Sequence, residues 1–179
     1  MVTKEVISKV ADLVRTSLNL TCPYNPEEAV QKLGGKIIQE NMNMAMDAYI
    51  KKEGEDSFTI YLNAKKSFLR EKFTIAHELG HLFLHMGFLI NKQLWNSITI
   101  FEDSVYYRKY ERMSGNYNQE ESEANEFAAS FLMPRDEFGE QIYLNLSNNK
   151  VNIINIAHYF GVSTSAALTR AKWLRYVDW

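Results

Sequence analysis

His77-Glu78-Leu79-Gly80-His81 sets two imidazoles four residues apart, with a carboxylate beside the first. In a helix, four residues advance roughly 6 Å and turn about 40° past a full circle, so both rings leave the same face. They can then converge on one zinc ion at about 2.0–2.1 Å. Glu78 lies one step round the helix, near enough to reach a water on that ion without ligating it. A Lewis acid with a carboxylate base beside it is equipped for hydrolysis. Histidine is scarce, four residues in 179, and the flanks are apolar: Phe73, Ile75, Ala76, Leu79, Leu82, Phe83 and Leu84. Polar groups embedded there are costly unless something satisfies them. Gly80 costs about 1 kcal/mol relative to alanine inside a helix, which makes sense if backbone or substrate must pass close by.

A catalytic ion needs a third protein ligand and an open fourth position. His85 is eight residues beyond His77, about 12 Å along the axis, too far to share the ion comfortably. It reads instead as a helix-end residue or a support behind a ligand. No histidine follows six residues after His81, where Gly87 stands. Further on, Glu121 to Met133 reads as a helix, with Ala124, Phe127, Ala128 and Phe131 in an apolar stripe and Pro134 at its end. Glu121 and Asn125 lie one turn apart beside alanines that would let a second helix approach. Glu121 can then supply the third ligand, and Asn125 can hydrogen-bond a ligand histidine. Glu120 and Glu123 point about 100° and 200° away on the wheel and read as a solvated acidic face.

The segment Arg70 to His85, containing F-T-I-A-H-E-L-G-H, and the segment Glu121 to Pro134, containing E-S-E-A-N-E-F-A-A-S-F-L-M-P, resemble the ImmA/IrrE metallopeptidases. Tyr24 to Gly35 and the C-terminal segment resemble that family more loosely, and the long aromatic stretch between the two motifs departs from it. The resemblance implies one zinc per chain, ligated by His77, His81 and Glu121, with Glu78 as general base. It also implies an endopeptidase of the cytosol, common in mobile elements, acting on a protein regulator such as a helix-turn-helix repressor. The contrasting expectation is a non-proteolytic regulatory or toxin–antitoxin protein on the same scaffold, touching DNA or a partner through its C-terminal helices.

The whole chain fits such a protein. Hydrophobic content of 46% with 23% charged residues is that of a globular domain. The net charge of −2 gives no bulk attraction to nucleic acid. A single cysteine, Cys22, cannot form an internal disulfide, in keeping with a reducing compartment. No apolar leader or membrane-spanning run is present, which points to the cytoplasm. Nothing in the sequence indicates an oligomeric state.

The elements that must position these residues follow from local signals. Residues 4–18 repeat apolar positions at helical spacing. Asn25 and Pro26 open a short helix that Gly34 and Gly35 close. Lys36–Glu40, Ala45–Lys51 and Phe58–Asn63 read as strands, with Gly54 in a turn. The expected class is α+β and zincin-like: a small antiparallel sheet packed against the His77 helix and the Glu121 helix. Phe58–Asn63 either edges the cleft and pairs with an extended substrate or is an ordinary strand of the sheet. Between the motifs, Phe88, Trp95, Phe101, Tyr106, Tyr107, Tyr110 and Tyr117 suit core packing or a cover, and one of these tyrosines could stabilise an oxyanion. Residues 1–145 form the expected metallopeptidase domain. Residues 146–179 form a helix-turn-helix-like segment packed on it, with Ser163 as a cap. That segment carries Lys150, Arg170, Lys172 and Arg175 against Asp178. Four cations are thin for neutralising phosphates, which favours packing or partner recognition over DNA binding.

Overall fold

A computed structural model describes residues 2–43, 47–65, 68–98 and 117–178. Their elements give an α+β fold. α1 spans Lys4–Ser17 and α2 Pro26–Lys32; β1, β2 and β3 span Lys36–Glu40, Ala48–Lys52 and Phe58–Asn63. α3 spans Phe68–Leu84, α4 Lys92–Ser97, α5 Tyr117–Leu132 and α6 Arg135–Leu144. A short hairpin, β4 (Leu146–Ser147) and β5 (Lys150–Val151), leads to α7 (Ile153–Phe160) and α8 (Thr164–Trp173).

Local chemistry sets many of the boundaries. Thr3 caps α1, accepting from Val6 N–H, and Asn25 caps α2, accepting from Glu27 N–H, with Pro26 in the first turn. Ser163 caps α8 through Ala166 N–H at 3.1 Å. Between α7 and α8 the chain turns on Gly161, whose φ of 62° suits a residue without a side chain.

The three-stranded sheet is mixed, which corrects the expectation of an antiparallel one. Its order is β1-β3-β2, with β1 parallel and β2 antiparallel to β3. β3 takes the centre because it is the strand buried on both faces: Phe58, Thr59, Ile60, Leu62 and Asn63 are all buried. β1, largely exposed, takes an edge. With β1 on one side and β2 on the other, Phe58–Asn63 has no free edge to offer a substrate, so it is an ordinary central strand.

α3 packs along α5, and α1 covers α5 from another side. Ala76, Leu79, Phe83, Phe127, Ala128 and Phe131 meet in the core, joined by Ile156, Phe160, Ala167 and Ala171 from α7 and α8. Two buried arginines fasten the carbonyl end of α5. Arg15 of α1 donates to Ser130 O at 2.7 Å and Phe131 O at 3.2 Å. Arg170 of α8 donates to Met133 O at 3.1 Å, Ser130 Oγ at 3.2 Å and Glu126 Oε1 at 2.9 Å. Cations suit a helix C-terminus, where the carbonyls lack partners. No helix among the described residues is long and apolar enough to cross a membrane.

Candidate metal centre

α3 and α5 bring His77, His81 and Glu121 together, each offering a ligand atom within 4.8 Å of the other two. His77 Nε2 lies 3.1 Å from His81 Nε2. Glu121 Oε2 is 3.4 Å from His77 Nε2, and Glu121 Oε1 is 3.3 Å from His81 Nε2. Ligands held tetrahedrally at the zinc distance of 2.0–2.1 Å stand about 3.3–3.4 Å apart. The donor spacing and the donor set, two imidazoles and a carboxylate, therefore fit a single divalent ion.

Burial tunes these groups against one another. Burial alone lowers the His77 pKa, but contact with Glu121 and the charge of Glu78 outweigh it and raise His77 above its ordinary value. Burial opposes ionisation of Glu121, yet its hydrogen bonds with His77 and His81 hold the carboxyl well below the usual carboxylate range. Asn125 Oδ1 sits 3.1 Å from His77 Nδ1, the support expected for it. Glu78, only 3% exposed, lines the same cleft as His77 and Glu121.

Glu123 departs from expectation. It is not part of a solvated face: it is 7% exposed, and its Oε2 lies 3.1 Å from His85 Nε2. α5 is flanked by both α1 and α3, so a face about 200° from Glu121 still turns inward. His85 is buried behind His81, their Nδ1 atoms 2.9 Å apart. Burial, then the neighbouring His81, pull the His85 pKa below its ordinary value. The four-residue spacing of His81 and His85 signals this contact, whereas Glu123 carries no local mark of it.

The cleft in front of the donors measures about 850 Å³. One wall is α3 and α5; the opposite wall is the turn after α7 together with Ser165, Ala166, Thr169 and Trp173 of α8. From its sequence α8 is expected to pack on the domain but not to line this cleft, since nothing local shows which way a helix faces a distant site. Phe88 and Trp95 pack edge to face in the core, ring centres 4.9 Å apart. Phe101, Tyr106, Tyr107, Tyr110 and the Tyr117 side chain lie outside the described residues, and the oxyanion role considered for a tyrosine lies there with them.

Comparison with known proteins matches residues 30–172 to the IrrE N-terminal-like domain, the M78 peptidase family. A comparison with curated proteins finds no match. Among solved structures, a Mycobacterium tuberculosis transcriptional regulator is similar, with a TM-score of 0.60 and 16% identity, over 94% of this chain and 46% of that one. At that identity the likeness is one of fold, and this chain spans less than half the length of that regulator. Because the match to the family covers most of the sequence, and both candidate motifs lie inside it, the chain belongs to the M78 peptidase family, with its IrrE N-terminal-like domain.

Proposed function

We propose that this chain is a zinc-dependent endopeptidase holding one Zn2+ through His77, His81 and Glu121. The observation that carries the reading is the donor triad at tetrahedral spacing, opening on a cleft that the buried Glu78 also lines. Zinc is chosen on ligand type, since the same set also takes manganese or cobalt. A bound ion supplies Lewis acidity, lowering the pKa of water and polarising a carbonyl. Glu78 accepts the proton of the attacking water and returns it to the leaving amine. Asn125 holds the His77 ring in place, and the walls of the cleft orient the peptide and exclude bulk water.

The substrate in this reading is a protein, and by resemblance a helix-turn-helix repressor of a mobile element or stress response, encountered in the cytoplasm. The single cysteine is in keeping with that compartment. The domain would comprise residues 1–145 in a zincin-like arrangement, with residues 146–179 packed on it as a helix-turn-helix-like wall. Recognition of DNA through that wall is disfavoured by two observations. Ala166, Thr169 and Trp173 face the cleft, and Arg170, one of its four cations, is buried and paired with Glu126.

Glu78→Gln tests the enzyme against a purely regulatory protein. The variant should keep equimolar zinc by elemental analysis yet leave a co-expressed candidate repressor intact, while the parent chain cleaves it. His81→Ala should lose the metal as well. Cleavage at the parental rate by Glu78→Gln would remove Glu78 as the base. A gel shift without zinc-dependent cleavage by the parent chain would favour the regulatory reading.

A further inference from the structure

Behind His81, on the side away from His77 and Glu121, lies a line of buried polar groups that the proposed hydrolysis does not use. His81 Nδ1 meets His85 Nδ1 at 2.9 Å, and His85 Nε2 meets Glu123 Oε2 at 3.1 Å. The other oxygen of Glu123 accepts from Gln119 Nε2 at 2.9 Å and from the backbone N–H of Val2 at 3.1 Å. Glu123 is thus held by Val2, just ahead of α1, and by its own helix, and it holds His85 in turn.

The geometry points to Glu123 and His85 as positioning residues that fix the tautomer of His81, an inference that rests on the metal reading for its purpose. An ionised carboxylate has only lone pairs to offer, so His85 Nε2 must donate to Glu123. The lone pair of that imidazole then falls on Nδ1, where only a donor can face it at 2.9 Å. His81 supplies the donor, Nδ1–H. Its own lone pair is left on Nε2, the nitrogen that faces His77 and Glu121. With the proton on Nε2 instead, two lone pairs would oppose each other at Nδ1, and an N–H would point into the donor triad. His85 cannot itself be a ligand here, because both its ring nitrogens are engaged. The sequence His81-x-x-x-His85 therefore combines a ligand and the group that prepares it.

Partners that orient a ligand histidine in this way are worth about 10- to 100-fold in metal affinity. The full chain, labelled on histidine and freed of metal, should show His81 with its proton on Nδ1 in long-range 1H–15N spectra. Zinc affinity, measured by competition with a chelator, should fall about 10- to 100-fold in His85→Phe, which removes the acceptor. His85→Asn sets an amide oxygen near the lost Nδ1 and should recover most of that affinity. Glu123→Ala frees His85 to adopt either tautomer and should weaken zinc while mixing the His81 signals.

A metal-free parent chain with the His81 proton on Nε2 would overturn the relay, as would parental zinc affinity in a folded His85→Phe. If His85→Phe does not fold, Glu123→Ala and the parent spectrum still decide. A parent chain that shows the Nδ1–H tautomer but binds no zinc would refute the metal reading and leave the relay standing. Zinc bound equally by the parent and the variants would do the reverse.

Discussion

Gly80 lies so close to the backbone of Ala124 that a Cβ on it would stand 3.0 Å from Ala124 Cα and 3.1 Å from the Ala124 carbonyl oxygen. The missing side chain is what lets the two ligand-bearing helices meet. Gly80→Ala gains up to about 1 kcal/mol in helix propensity, but overpacking against backbone costs about 1–3 kcal/mol. We expect a net loss of stability in thermal unfolding, and weaker zinc binding as Glu121 is pushed from His81. A variant with a higher melting temperature and parental zinc affinity would show that α5 yields without cost.

Proton and metal compete for His77, whose pKa is raised. In the metal-free chain this proton favours the folded state. Its contribution is full below the ordinary histidine value of 6.5 and is lost as pH rises through the higher folded value. Glu121, held low, stays ionised throughout that window. The His77 contribution to metal-free stability should therefore decline from pH 6 to pH 8, against the opposite contribution of His85, whose pKa is depressed. Zinc affinity should rise over the same range as the proton is released. Titrations at three pH values with a flat zinc affinity would contradict this assignment.

The wall formed by α8 offers a test of the cleft that leaves the donors untouched. Ala166→Trp should narrow the space in front of them, so kcat/KM toward a protein substrate falls at least about tenfold while zinc content stays equimolar. Unchanged turnover would mean that substrate approaches by another route.

Arg170 makes three side-chain hydrogen bonds while buried. Replacing it with methionine keeps volume but abandons charge-assisted bonds, at a cost of about 2–3 kcal/mol. For a domain of this size that corresponds to a fall of about 5–10 °C in melting temperature, readable by calorimetry.

Features written in a few adjacent residues could be read directly from the chain. Asn25-Pro26 and Ser163 cap the helices they were expected to cap, Pro134 ends α5 within two residues of the expected place, and the His77–His81 spacing brings two rings to one point. Asn125 against His77 followed from a single turn of helix.

What depends on distant neighbours could not be read in this way. A seven-residue link between β1 and β2 suits a hairpin as well as the crossing observed, and only the burial of β3 decides which strand is central. Glu123 looked solvated because its own helix does not show that α1 and α3 both lean on it. The β4–β5 hairpin did leave a sign, Asn148-Asn149, both with positive φ as a tight hairpin turn requires. Strands of two residues give too little alternation to accompany that sign.

The two arginines on the end of α5 come from α1 and α8, the first and last helices described. The helix that carries Glu121 is thus tied at its carbonyl end to two segments more than 150 residues apart in the sequence. One of the two helices that form the candidate metal centre is therefore closed by both ends of the described chain, and Glu121 stands where it does only once both have docked.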